Sequence, residues 1–438
     1  MMLICRRVAT SPKRFSRRHH DGRHKVKAAF PTIHSALHLG PPLNAEAFSS
    51  LRRRMMLDHF KWDPQIGDES VLLEQPLILS SKTWVELAAA AERMAAEIAS
   101  IEIELLERPE LQTGLGLPVL LQRALRGSAR AWPVAGVRVL RFDFHATTEG
   151  WRASEVNSDV PGGFTESSYF TAMMGKHYPG ARPPGDPVQA WKRAVTSWRS
   201  GPRAGILYAS GYPEDQQLVS FLGSVLEEEG WRVGFLQHPQ QLCWRDGWAC
   251  LDRHPLDMLV RFYQAEWLAE LPTRSGWPHL FGPTETVVTN PGYSVLAESK
   301  RLPLIWERLS SPTPTLEGLF PQCLDPRDLD SGEEDWVFKA AFSNTGDDVV
   351  ILALLDNEAQ RRILRQIRRQ SDKWVAQRRF VSLPVTTASG ALLYPCIGVY
   401  TINGKSEGAY VRLSRGPVTD YRALEAALLV TDDLEDKP

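Results

Sequence analysis

The chain has 438 residues, 43% of them hydrophobic and 24% charged, which is enough apolar material for two or three packed lobes and excludes a disordered chain. Its formal net charge of −1 excludes a global attraction to nucleic acid or anionic membrane, so any phosphate site must be local. Five cysteines, Cys5, Cys243, Cys250, Cys323 and Cys396, lack CxxC spacing; that argues against a disulfide framework or zinc ribbon and points to a reducing cytoplasm.

Residues 1–54 read as a basic extension. Nine Lys/Arg fall between Arg6 and Lys27 against one acid, Asp21, and nothing there can build a core. A functionless extension, an Arg-rich transit peptide directing the chain to an organelle, a phosphate-touching arm, and a true start at Met55 or Met56 all stay open. The Arg52-Arg53-Arg54 run reads as solvated surface.

Residues 55–200 open with an amphipathic helix from Trp84 to Leu106, since Leu87, Ala91, Met94, Ile98, Ile101 and Leu105 recur at 3–4 spacing. Gly114 to Pro118 breaks it, and a short helix to Leu125 follows. The period then becomes two. Leu140, Phe142 and Phe144 alternate with Arg141 and Asp143, Thr147 to Gly150 turns the chain, and Trp151–Asn157 returns with Glu155 and Asn157 on one face. Residues 201–292 read as a small α/β lobe: strand Ala204–Tyr208, helix Asp215–Glu229, strand Trp231–Leu236, then strands Met258–Phe262 and Thr286–Thr289. Residues 293–438 begin with a helix from Ser294 that Pro303 ends. Strands Trp336–Lys339 and Val349–Leu352 bracket a polar turn before a helix over Leu354–Arg369. Strands Lys373–Phe380, Cys396–Ile402 and Gly408–Ser414 lead to a closing helix from Thr419 to Leu429. No apolar run approaches the roughly 18 residues of a membrane span.

Arg141, Asp143, Glu155 and Asn157 carry the chemistry that stands out. Two carboxylates and an amide oxygen on adjacent strands suit a hard cation such as magnesium, and a neighbouring arginine can grip a phosphate. A surface hairpin with an Arg–Asp pair is the plain alternative.

The segments Arg141-Phe142-Asp143-Phe144-His145, Glu155-Val156-Asn157-Ser158-Asp159-Val160-Pro161 and Glu166 together resemble the signature of the glutathionylspermidine synthase family. Asn290-Pro291 with Glu298-Ser299-Lys300-Arg301, Trp336-Val337-Phe338-Lys339 with Ser343 to Gly346, Ala376 to Phe380, and Gly408 to Arg412 resemble later segments of that family in the same order. The resemblance implies a circularly permuted ATP-grasp fold of mixed α/β class with a small β-α-β lobe in the middle of the chain. It implies ATP and magnesium as cofactors, with Asp143, Glu155 and Asn157 as metal ligands and Glu155 bridging two ions. Lys300 and Lys339 would meet the nucleotide phosphates under the backbone of Thr345 and Gly346, and Gln377 would face the adenine. Arg141, with Arg412 from the other lobe, would stabilise the reacting groups.

The activity so implied is a carboxylate–amine ligase working through an acyl phosphate, with a peptide-like or small carboxylate and an amine as partners and neither membrane nor nucleic acid expected. Where the family places serines against glutathione, this chain has Val160-Pro161-Gly162-Gly163, so both substrates stay open. Asp347 and Asp348 beside Gly346 keep a rival reading in view, a catalytically silent scaffold of the same fold. Glu214 and Asp215 fall near the family's polyamine-holding acids, but helix capping accounts for them more simply.

Overall fold

In the computed structural model the hairpin that carries Arg141 and Asp143 is part of the largest sheet. The structure describes residues 37–63, 65–66, 69–126, 136–197, 203–329, 335–343, 346 and 348–433. The expectations for residues 1–36 lie outside them. Strands Val139–Thr147 and Gly150–Asn157 pair antiparallel, and Leu392–Ile402, Lys405–Ser414 and Leu424–Ala426 extend the ladder. Val385–Thr386 adds a sixth strand against Leu392–Ile402.

The helix Ser81–Glu107 packs on this sheet. Ser80 caps it by accepting a hydrogen bond from the Thr83 N–H at 3.1 Å, satisfying one orphan donor of its first turn. All six apolar positions of the expected stripe are buried, at about 1.5–3 kcal/mol for each large side chain. They anchor the back of the sheet and leave its other face free for polar residues.

Among the described residues three four-stranded sheets accompany it. Val287–Thr289, Met258–Phe262, Arg203–Tyr208 and Arg232–Leu236 form a parallel sheet, with the helix Pro213–Glu228 supplying the β-α-β crossover. Cys323–Leu324, Trp374–Arg378, Trp336–Ala340 and Val349–Ile351 form an antiparallel sheet, covered by the helix Asn357–Arg369 through Ile367. Leu37–Leu39, Leu77–Ser80, Leu428–Thr431 and Ala181–Arg182 form the last.

The parallel sheet is pinned to the Val139–Asn157 hairpin by buried polar contacts. Arg261 Nη1 donates to Asp159 Oδ2 at 3.1 Å, and Ser294 Oγ to Asp159 Oδ1 at 3.0 Å. The Asn290 carboxamide donates to the carbonyls of Val139, Ser158 and Asp159 at 2.9–3.1 Å. Each of these groups is costly to bury alone and is satisfied only in this arrangement. Asn290, quoted above only as part of a segment that carries the family resemblance, acts here as a clamp between elements.

Three expectations need correction. No helix spans 419–429: Leu424–Ala426 and Leu428–Thr431 are strands. The Ala/Leu composition favours helix, but Leu428–Thr431 gains a parallel partner in Leu77–Ser80 and is wholly buried, so tertiary pairing overrides propensity. Residues 45–54, read as extension, belong to the helix Ala45–Asp58, which Asn44 caps and which buries Leu51 and Met55. The three arginines obscured that helix; Arg53 and Arg54 lie on its exposed side as expected. The helix after Ser294 ends already at Glu298, and Pro303 sits in the first turn of a separate 3-10 helix, Leu302–Arg308.

Candidate active site

The register of the hairpin decides which side chains meet. Arg141 stands opposite Asn157 and Asp143 opposite Glu155, so all four share the open face of the central sheet. Gly398 lies opposite Asp143 on the next strand. A Cβ there would come 2.7 Å from Arg141 Cδ and 2.8 Å from Asp143 Oδ1; the glycine leaves the room that this pair fills.

Arg141 and Asp143 are almost completely buried. Arg141 Nε donates to Asp143 Oδ1 at 2.8 Å and its Nη2 to Oδ2 at 3.2 Å. Arg412, from Lys405–Ser414, donates to the same Oδ2 at 2.6 Å. Burial alone would raise the Asp143 carboxyl, but the two guanidinium charges outweigh it and hold it below the usual carboxylate range. Two cations thus face one anion. Arg141 also donates to the Gly162 carbonyl at 3.0 Å, tying the Val160–Gly163 turn to the sheet.

Glu155 is less committed. It is about a quarter exposed, with Lys300 Nζ at 3.6 Å and Arg412 Nη2 at 4.0 Å. Lys300 donates to the Ser343 carbonyl at 2.7 Å, and Lys339 to the Ser154 carbonyl at 3.2 Å. Burial, reinforced by the nearby Lys300 charge, pulls the Lys339 ammonium below its ordinary value. Gln377, on the strand beside Lys339, turns its amide toward the same Ser154 carbonyl.

These groups line a cavity of about 330 Å³ that His145, Glu155, Lys300, Lys339, Gln377 and Arg412 share, within the range of small-molecule sites. Val337, Ile351 and Phe380 give it an apolar wall. Gly346 also lines it, at φ +72°, and packs against the Thr419 carbonyl. Thr345 and Asp347 lie outside the described residues. Asp348 is exposed.

Part of the oxygen set suits a cation. Asn157 Nδ2 is buried without a hydrogen-bond partner; turned over, its carboxamide would present an oxygen at that point, and the two orientations are hard to tell apart. Glu155 and Asn157 fit a magnesium ion on this ground. Asp143 shares their face, but both its oxygens are taken by arginine. Among the described residues no group of three His, Cys, Asp or Glu converges as a metal site.

A second cluster escaped the sequence reading. Lys61 Nζ lies 2.7 Å from Glu166, 2.9 Å from Glu425 and 3.3 Å from Asp63, and is 3% exposed. Burial would lower the Lys61 ammonium; Glu166, Glu425 and Asp63 instead raise it well above its ordinary value. Burial, together with Glu166, pushes Glu425 up to about 7 against the pull of Lys61. Tyr410 joins the two clusters. Its hydroxyl donates to Glu425 at 2.8 Å, while the Arg141 and Arg412 guanidiniums lie 5.5 and 5.9 Å from its ring centre. Glu214 and Asp215 occupy the first turn of their helix, but neither side chain caps it: Tyr212 stands at the N-cap without a side-chain hydrogen bond. Burial and the Glu214 charge push Asp215 up to about 7.

Cys323 and Cys396, beside Gln377 and Arg412, supply no nucleophile. Burial pushes Cys323 and Cys396 up to about 12, which removes the thiolate a nucleophile needs. No helix among the described residues is long and apolar enough to cross a membrane.

Comparison with known proteins places this geometry in a context. The glutathionylspermidine synthase preATP-grasp family matches residues 58–427. Among solved structures, a glutathione synthetase-like effector from Globodera pallida, without ligand, superposes with a TM-score of 0.61 at 11% identity, covering 88% of this chain and 96% of its own. A protein assigned as a gamma-glutamylcysteine synthetase from Methylobacillus flagellatus reaches a TM-score of 0.39 at 13% identity, over 72% of this chain and 82% of its own. No curated protein matches the sequence.

Proposed function

Because the chain belongs to the glutathionylspermidine synthase preATP-grasp family, we propose that it is an ATP- and magnesium-dependent ligase joining a carboxylate to an amine on a circularly permuted ATP-grasp fold. The observation that carries this reading is the shared cavity. Lys300, Lys339 and Gln377 line it from one side, and Glu155 and Arg412 from the other.

A carboxylate resists direct attack by an amine, so the acid must first be activated. The terminal phosphoryl group of ATP passes to the carboxylate, leaving ADP and an acyl phosphate; the amine then displaces phosphate and gives up a proton. Lys300 and Lys339 neutralise phosphate oxygens, and Arg412, at the cavity wall, stabilises charge that builds on the transferred group. Arg141 holds Asp143 and Gly162 and so fixes the floor of the site. Glu155 and Asn157 would hold magnesium, which supplies, when bound, charge neutralisation between phosphate oxygens. On the amine side, Glu166, Glu425 and Asp63 outnumber Lys61, a field that favours an approaching cationic amine.

One observation favours a second reading. Both Asp143 oxygens are engaged by arginine, an arrangement that also suits a scaffold that binds nucleotide without turnover. Calorimetry of magnesium-dependent ATP binding, followed by a screen of acids and amines for ADP release, separates the two. Binding with acid- and amine-dependent ADP release is expected; binding without release selects the scaffold, and no binding at millimolar ATP removes both.

A further inference from the structure

Two cysteines far from the cavity stand directly opposite each other. Cys243–Arg245 and Trp248–Leu251 form an antiparallel hairpin in which Cys243 pairs with Cys250. Asp246 and Gly247 make the two-residue turn, at φ +48° and +82°, and such paired positive angles match the twist of the flanking strands. The hairpin is anchored at its turn and second strand: Glu285 N–H donates to the Gly247 carbonyl at 2.9 Å, and Ala249 N–H to Thr286 Oγ1 at 2.9 Å. The rung is therefore held in register.

Directly opposed residues of an antiparallel ladder have Cα atoms about 4.5–5.5 Å apart, inside the range of roughly 4.4–6.8 Å that disulfides span. Cys243 is exposed and Cys250 buried, so one sulfur is open to a reagent and the other lies behind it.

We propose that Cys243 and Cys250 are a redox modification site, a vicinal thiol pair that closes to a disulfide by exchange with a low-molecular-weight disulfide such as oxidised glutathione. The Cys243 thiolate attacks one sulfur of the reagent, forming a mixed disulfide and releasing one reduced thiol. Cys250, losing its proton to solvent, attacks the Cys243 sulfur and expels the second thiolate, which takes up a proton. Two protein thiols are oxidised, one reagent disulfide is reduced to two thiols, and no other electron acceptor is needed. The role is independent of the ligase reading, since neither sulfur lies in the cavity.

The test is incubation of the native full-length protein with oxidised glutathione, quenching by alkylation under denaturing conditions, and tryptic peptide mapping. Trypsin cuts after Arg245, between the two cysteines, so the disulfide appears as a linked peptide pair that dithiothreitol separates. The expected result is that pair in the wild type and a persistent glutathione adduct on Cys243 in Cys250→Ala. The Cys243→Ser variant, altered at an exposed position, should take up no label at Cys250. A wild-type protein that keeps the glutathione adduct on Cys243 with Cys250 alkylated, or in which neither reacts, overturns the proposal.

Discussion

Two charge clusters share one face of the central sheet and are unbalanced in opposite directions. Around Asp143, two guanidiniums meet one carboxylate; around Lys61, three carboxylates meet one ammonium. They are adjacent, because Arg412 and Glu425 are paired across neighbouring strands and Tyr410 touches both. Balanced ion pairs would make an inert seam. An excess cation beside an excess anion instead creates a field along the sheet, positive where phosphoryl and carboxylate oxygens would react and negative where an amine would wait.

The largest expected effect breaks the positive side. Glu155→Gln keeps the shape of the site but removes the carboxylate that stands between Lys300 and Arg412. Acid- and amine-dependent ADP release should fall by about 1000-fold or more, with circular dichroism and thermal melting unchanged. Full activity in this variant would refute the role given to Glu155.

Removing the ammonium from the negative side comes next. Lys61→Met leaves Glu166, Glu425 and Asp63 without their cation, and breaking such a buried pair costs about 4 kcal/mol. The cost depends on pH. Glu425, at about 7 in the folded chain, stands above its ordinary value, so the folded state binds the extra proton and stability falls as pH rises toward 7. Without Lys61 that slope steepens. Denaturant titrations should show the full loss at pH 8 and a smaller one at pH 5.5; equal losses would mean that the carboxylates are not the cause.

A smaller effect sharpens the contrast at the edge of the positive cluster. Burial, aided by the Lys339 and Arg412 charges, lowers His145 to about 4 although Asp143 pulls the other way. Below pH 6.5 the unfolded chain takes up this proton and the folded one does not until about pH 4, so stability is lost as pH falls through that window. With a discount for the partial exposure of His145, the loss is about 2 kcal/mol. The variant His145→Gln retains an amide for Ser154 and should lack this component. Parallel pH–stability curves for the two proteins would show that His145 is not held neutral.

The positive cluster was legible in the sequence and the negative one was not, for a physical reason. Arg141, Asp143, Glu155 and Asn157 lie on two strands joined by a short turn, where period-two alternation fixes the face of each side chain. Lys61 and Glu425 meet only through the closure of the whole fold, and Lys61 follows a helix hidden behind an arginine run. The same distance explains the error at 419–429. The partner that makes Leu428–Thr431 a strand is Leu77–Ser80, nearly the whole chain away, and no local pattern announces it. Lys300 and Lys339 came from the family's motifs, and the structure brings both to the cavity; Gly398 carried no signal beyond being a glycine in a strand.

Gly398 also sets a limit on how this site can change over generations. Since even one methyl group would intrude on Arg141 and Asp143, every single-step replacement at 398 must first disturb the pair. A saturation library screened for folded protein should therefore leave a gap at this codon, while Arg53 or Arg54 on the outer helix accept most replacements. Any drift in what the cavity accepts must accordingly arise around its rim, where substitutions leave the Arg141–Asp143 pair undisturbed.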